Sequence, residues 1–91
     1  MEREDIDPKV WGPVAWAFLD SVVLSYPQVA SYQDQLWMSD FMTNLSDALP
    51  CGKCRENFKI YMRQNPIQQH VFSRSNLNTW LEKYKHWSTF R

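Results

Sequence analysis

Residues 48–62 read ALPCGKCRENFKIYM. A proline precedes two cysteines three apart, and an amphipathic run follows. Cys51 and Cys54 are the only cysteines in the chain. At i and i+3 they share a face of one helix, and Phe58, Tyr61 and Met62 continue that stripe. Cys54 is therefore expected to point towards a core. Cys51 falls at or before the first turn, where free N–H groups and the helix dipole stabilise a thiolate, and it is expected to meet solvent. Lys53 and Arg55 add positive potential. A thiolate, unlike a thiol, attacks disulfides and flavins. The other uses of such a pair fit less well. A disulfide closing so short a loop restricts the unfolded chain little. A zinc site needs two more ligands, and His70 and His86 lack the usual short histidine spacing, so no metal is expected. Two inert buried thiols remain a competing reading. A thioredoxin-type CxxC follows a strand, whereas this one follows a helix. Position, charge and spacing favour redox chemistry, with an electron acceptor that fits inside a helical bundle.

Helical periodicity extends outward on both sides. Upstream, Met38, Phe41, Met42, Leu45, Ala48 and Leu49 form a stripe that Pro50 ends, and Ser31 with Asp34 resembles a capping box at its start. Before that, Ala15, Phe18, Leu19, Val22 and Tyr26 fall at helical spacing and Pro27 stops the run. Proline suits a first turn, so this helix is expected to begin at Gly12 or Pro13. The cysteine helix should run to about Gln64, ahead of Asn65-Pro66. A loop, NPIQQHVF, leads to a last helix capped by Ser73 or Ser75 and carrying Leu77, Trp80, Leu81 and Tyr84. No strand alternation, internal repeat or low-complexity segment interrupts this pattern. The expected fold is all-α, a four-helix up-and-down bundle with the CxxC at the start of the third helix. Residues 1–10 are expected to be a mobile acidic arm, and residues 11–91 a single helical domain.

Composition narrows the function classes. A chain of 91 residues holds one modest core, and chains this short often lean on a disulfide, a cofactor or a partner subunit. The formal net charge is zero, which argues against a general electrostatic grip on nucleic acid. No apolar run is long enough to span a bilayer, and Asp20 interrupts the best candidate. The opening MEREDIDPK lacks the basic start and apolar stretch of a signal peptide. The chain reads as soluble, with its compartment open: host cytoplasm or a virion if it is virus-encoded. Five tryptophans can fill a core, line a flat aromatic ligand or anchor an interface. Apolar residues on more than one helix face, notably Trp11, Val23, Trp37 and Phe41, predict a homodimer.

Three stretches together resemble the Erv/ALR family of FAD-dependent sulfhydryl oxidases, in particular its short viral members. WGPVAWAFLDSVVLSYP is similar to the family's first helix, with its Gly-x-x-x-Trp-x-x-Leu-His pattern closed by Tyr-Pro. LSDALPCGKCRENFKIYM is similar to the start of its redox helix, and SRSNLNTWLEKY to its fourth helix. The resemblance implies FAD held in the bundle against the CxxC. Cys51 would exchange with an incoming protein dithiol, and Cys54 would be the thiolate next to the flavin. Dioxygen would be the final acceptor, yielding hydrogen peroxide. Gly12, Trp16 and Tyr26 match family positions that hold the cofactor, and Trp80 matches a fourth-helix tryptophan of the core. Three positions depart from the family. Asp20 stands where the family has a histidine. The family's His-Asn-x-x-Asn run falls on Lys85, His86 and Thr89. The sequence ends at Arg91, ahead of the family's Leu-Gly-Lys segment. Asp20 would accept hydrogen bonds from adenine or ribose, or lie at an open rim. Lys85 would pair with a phosphate and His86, given a one-residue shift of the helix, would stack on adenine, the alternative for both being an ordinary surface position. The competing function is a flavin-less bundle serving as a structural or binding subunit of a larger assembly.

Overall fold

The computed structural model describes residues 2–89. Met1, Phe90 and Arg91 lie outside the described residues, and with them the extreme ends of the expected arm and helical domain. Four helices make the fold: α1 (Pro8–Ser25), α2 (Tyr32–Ala48), α3 (Gly52–Gln64) and α4 (Arg74–Thr89). A short 3₁₀ turn, Ile67–Gln69, lies between the last two. Among the described residues there is no strand. α1 packs on α4, α2 on α3, and α3 on α4.

Local chemistry sets most boundaries. The expected capping box is present: the Ser31 hydroxyl accepts from Asp34 N–H at 3.1 Å, and the Asp34 carboxylate accepts from Ser31 N–H at 3.0 Å. Those Ser31 bonds, and one from the Trp37 indole, hold the Asp34 carboxyl below its ordinary range. Ser73, not Ser75, caps α4, with its hydroxyl accepting from Asn76 N–H. The exception is the start of α1. It begins at Pro8, behind an Asp7 side chain that accepts from Lys9 N–H at 3.0 Å. Pro13 therefore lies inside the helix, where its ring deprives one carbonyl of a partner. Both prolines carry the first-turn signal, and the aspartate cap selects the earlier one.

Each helix buries one face in a shared core. Leu19 and Val23 of α1, Met38 and Met42 of α2, Phe58 and Tyr61 of α3, and Leu77, Trp80 and Leu81 of α4 are all buried. Two expectations for α1 change. Phe18 points outward, 57% exposed, and Val23 is core at 1%. Val23 therefore adds nothing to an outer apolar face. Trp80 is fully buried, its indole donating to Asn65 O at 2.8 Å. The Tyr61 hydroxyl donates to Trp80 O at 2.8 Å, locking α3 to α4.

The N-terminal segment differs most from expectation. Instead of standing free, it lies along residues 47–52. Arg3 donates to Asp47 O and Leu49 O, Ile6 N–H to Pro50 O at 2.8 Å, and Gly52 N–H to Asp5 Oδ1 at 3.0 Å. The physical reason is supply and demand of hydrogen bonds. The end of α2 presents carbonyls and the start of α3 presents an N–H that no helix partner satisfies. An arginine and an aspartate two residues apart meet both needs.

Candidate functional site

Cys51 is the N-cap of α3, in extended backbone, and its sulfur accepts from Cys54 N–H at 3.2 Å. This cap brings the two side chains together, and they form a disulfide with Cα atoms 5.1 Å apart, inside the usual range for such a bond. Exposure runs against expectation. Cys51 is buried at 8%, whereas Cys54 is only partly buried. The helix end alone would leave Cys51 open, but the N-terminal segment bonds to the residues on either side of it.

Both cysteines line a cavity of about 670 Å³ between the starts of α1 and α3 and the end of α4. That volume suits a small organic ligand. Trp11 and Trp16 of α1, Phe58 of α3 and Tyr84 of α4 supply aromatic walls. Phe58 and Tyr84 stack, with centroids 4.5 Å apart and planes 26° apart, and Trp16 packs on Tyr84 at 5.5 Å. Contacts within the protein thus hold these three wall rings against one another. Gly12 also lines the cavity, and a Cβ built there meets nothing within 4 Å. The missing side chain thus leaves open volume. Lys53 and Asn57 bring polar groups to the cysteine side. Burial pushes the Tyr84 phenol up to about 12, with Tyr61 adding to the effect, so Tyr84 is a neutral wall at ordinary pH. A flat, conjugated electron acceptor such as an isoalloxazine fits this donor set. It needs apolar faces above and below, a few polar groups at its edge and a dithiol within reach.

Of the residues singled out from sequence, Gly12, Trp16, Cys51 and Cys54 come together here. Asp20 and Lys85 do not line the cavity. They pair with each other, Lys85 Nζ to Asp20 Oδ1 at 2.5 Å, and Lys85 also reaches Glu82 at 3.1 Å. The Asp20 bond, ahead of the others, holds the Lys85 ammonium above its ordinary range. Its Nζ sits 5.6 Å from the centre of the Trp16 ring, so the pair steadies one wall from outside. Tyr26 lies elsewhere. It is fully buried, and its hydroxyl donates to Val71 O at 2.7 Å while its carbonyl accepts from Arg74 Nε. It joins the end of α1 to the start of α4, because Pro27 turns the chain there. His86 faces a different, shallow pocket beside Tyr61, Asn65 and Trp87. Sequence reasoning passed over Trp11, Lys53, Asn57 and Tyr84 as site residues. Helical spacing carried a signal for them: Asn57 is one turn beyond Cys54, and Trp11 one turn before Ala15 and two before Leu19 on the same wall.

Residues 13–86 match the Erv1 / Alr family. The chain belongs to that family. It is 36% identical over 76 residues to a probable FAD-linked sulfhydryl oxidase of Acanthamoeba polyphaga mimivirus, covering 82% of this chain and 53% of that protein. It is 35% identical over 75 residues to the mitochondrial FAD-linked sulfhydryl oxidase ERV1 of Saccharomyces cerevisiae, covering 82% and 39%. A putative FAD-linked sulfhydryl oxidase of Invertebrate iridescent virus 3 is 31% identical over 72 residues, covering 79% and 49%. The matched region spans about half or less of each of these relatives. Among the described residues, no helix of this Erv1 / Alr chain is long and apolar enough to cross a membrane.

Proposed function

We propose that this chain is a FAD-linked sulfhydryl oxidase that forms disulfides in protein dithiols. The observation that carries the reading is the Cys51–Cys54 disulfide opening onto an aromatic-walled cavity. Membership of a family whose relatives are named FAD-linked sulfhydryl oxidases supports it. Gly12, Trp16, Phe58 and Tyr84 would hold the isoalloxazine, with Lys53 and Asn57 at its edge. Bound there, FAD supplies a two-electron acceptor for the dithiol and a route to dioxygen, giving hydrogen peroxide. Tyr26 and His86 do not line this cavity.

The cysteines' own step is thiol–disulfide exchange. A client thiolate attacks Cys51 Sγ, the Cys51–Cys54 bond breaks, and Cys54 leaves as a thiolate. The client's second thiolate then attacks its own sulfur in the mixed disulfide and releases Cys51. The client loses two electrons and two protons, and the pair gains the two electrons. Cys54 sits in the first turn of α3, where free N–H groups favour its thiolate. Its position one turn from Phe58, on the cavity wall, supports its being the sulfur nearer the acceptor. The exposed α1 stripe Val10, Val14 and Phe18 supports a homodimer.

Purified protein, reconstituted with FAD, should keep the oxidised-flavin absorbance after gel filtration. It should consume dioxygen when given dithiothreitol, and Cys51→Ser or Cys54→Ser should each abolish that consumption. A chain that retains no flavin sinks the proposal and leaves the flavin-less subunit in its place.

A further inference from the structure

We propose that residues 3–6 form a strap that closes the surface over Cys51 and occupies the track along which a client's extended backbone reaches that sulfur. The strap engages both neighbours of Cys51. Ile6 N–H donates to Pro50 O at 2.8 Å, and Asp5 Oδ1 accepts from Gly52 N–H at 3.0 Å. Arg3 anchors the far end on two carbonyls at the end of α2, Asp47 O at 2.6 Å and Leu49 O at 3.2 Å. The near end is tied to the cavity itself, since the Trp11 indole donates to Ile6 O at 2.8 Å. Cys51, between the two bonded residues, is only 8% exposed.

The strap is built to leave. Residues 2–7 are all exposed, and Ile6, its one large apolar side chain, is 44% exposed. A segment held by solvent-accessible hydrogen bonds and little apolar burial opens at low free energy. The groups it covers are not specific to it. Pro50 O and Gly52 N–H are main-chain atoms that any extended peptide can engage, as in strand addition. A client peptide that carries a cysteine can therefore take up these two main-chain groups in place of the strap and arrive with its thiol beside Cys51. The access role stands on the structure alone, and the client role rests on the oxidase reading above.

The test uses the full chain, an Arg3→Ala/Asp5→Ala variant, and a chain lacking residues 2–6, which keeps the Asp7 cap of α1. Each is reduced and treated with a bulky maleimide, and labelling of Cys51 and Cys54 is followed separately by peptide mass spectrometry. Loss of the three bonds made by Arg3 and Asp5 should raise the Cys51 rate at least about five- to tenfold, with the Cys54 rate unchanged. A Cys51 rate within about twofold of the unaltered chain in the truncated protein overturns the strap. So does a parallel rise at both cysteines, which would report general loosening. Neither flavin nor oxygen enters this measurement, so it is independent of the oxidase reading. For the client track, truncation should speed reduction of the Cys51–Cys54 bond by a peptide dithiol more than by dithiothreitol. Equal gains overturn that half of the proposal.

Discussion

At the scale of single residues, the site's walls are also its core. Phe58 is 1% exposed and stacks on Tyr84, which in turn packs on Tyr61 and Trp16. Phe58→Ala should cost about 3–5 kcal/mol of stability in urea unfolding and should weaken FAD binding in a direct titration, because Tyr84 loses its backing. The tyrosines also set a pH limit. Burial pushes both Tyr61 and Tyr84 up to about 12, and burial, followed by the Asp34 charge, raises Tyr26. Their folded values lie above the ordinary phenol value of about 10. The unfolded chain therefore releases these protons first, and stability that is full below about pH 10 is lost as pH rises towards about 12. Ionisation of Tyr26, Tyr61 and Tyr84, followed by absorbance at 295 nm, should coincide with loss of helix by circular dichroism. Titration of these three phenols at the ordinary phenol value of about 10 in folded protein would contradict this.

At the scale of elements, the caps decide where helices start, and α3 has an unusual one. A cysteine sulfur takes the place usually held by a serine, threonine, aspartate or asparagine oxygen. The redox group and the helix start are one residue. Cys51→Ser and Cys51→Ala both remove the disulfide, but only the serine keeps a cap. The serine variant should be more stable by about 1 kcal/mol in urea unfolding, and equal stabilities would show that the sulfur cap is incidental. On α2, Ser31→Ala removes one half of the capping box and should cost about 1 kcal/mol. Asp34 makes that box acid-sensitive. Its carboxyl is held down chiefly by the Ser31 backbone N–H, so this contribution is present above its unfolded value and is lost as pH falls through the lowered one.

At the scale of the whole molecule, α1 serves two surfaces. Its inner face carries Trp16 and Leu19 to the cavity. Its outer face leaves Val10, Val14 and Phe18 exposed at 70%, 71% and 57%, at i, i+4 and i+8. A continuous apolar stripe of this kind on a small protein calls for a partner, and self-association through one shared face closes by two-fold symmetry. The unaltered chain should sediment as a dimer at micromolar concentration, and Val14→Asp with Phe18→Asp should make it a monomer that keeps its helix content. A monomeric unaltered chain would rule out the homodimer.

Residue order alone determined the helices, their breaks at Pro27, Pro50 and Pro66, the Ser31 box, the buried Trp80 and the CxxC at the start of α3. These rest on interactions within about four residues, which periodicity and capping chemistry express directly. Gly12 and Trp16 were legible only through the resemblance to the Erv/ALR family, whose first-helix pattern they match, and both line the cavity. Only the tertiary structure decided the rest. Lys85 neutralises Asp20 across 65 residues, Tyr26 spends its hydroxyl on Val71, and the two neighbours of Cys51 bond to a segment more than forty residues upstream. Each outcome depends on which distant group satisfies a charge, a hydroxyl or a helix end. Burial and hydrogen-bond pairing between remote segments are properties of the packed chain, and no local pattern encodes them.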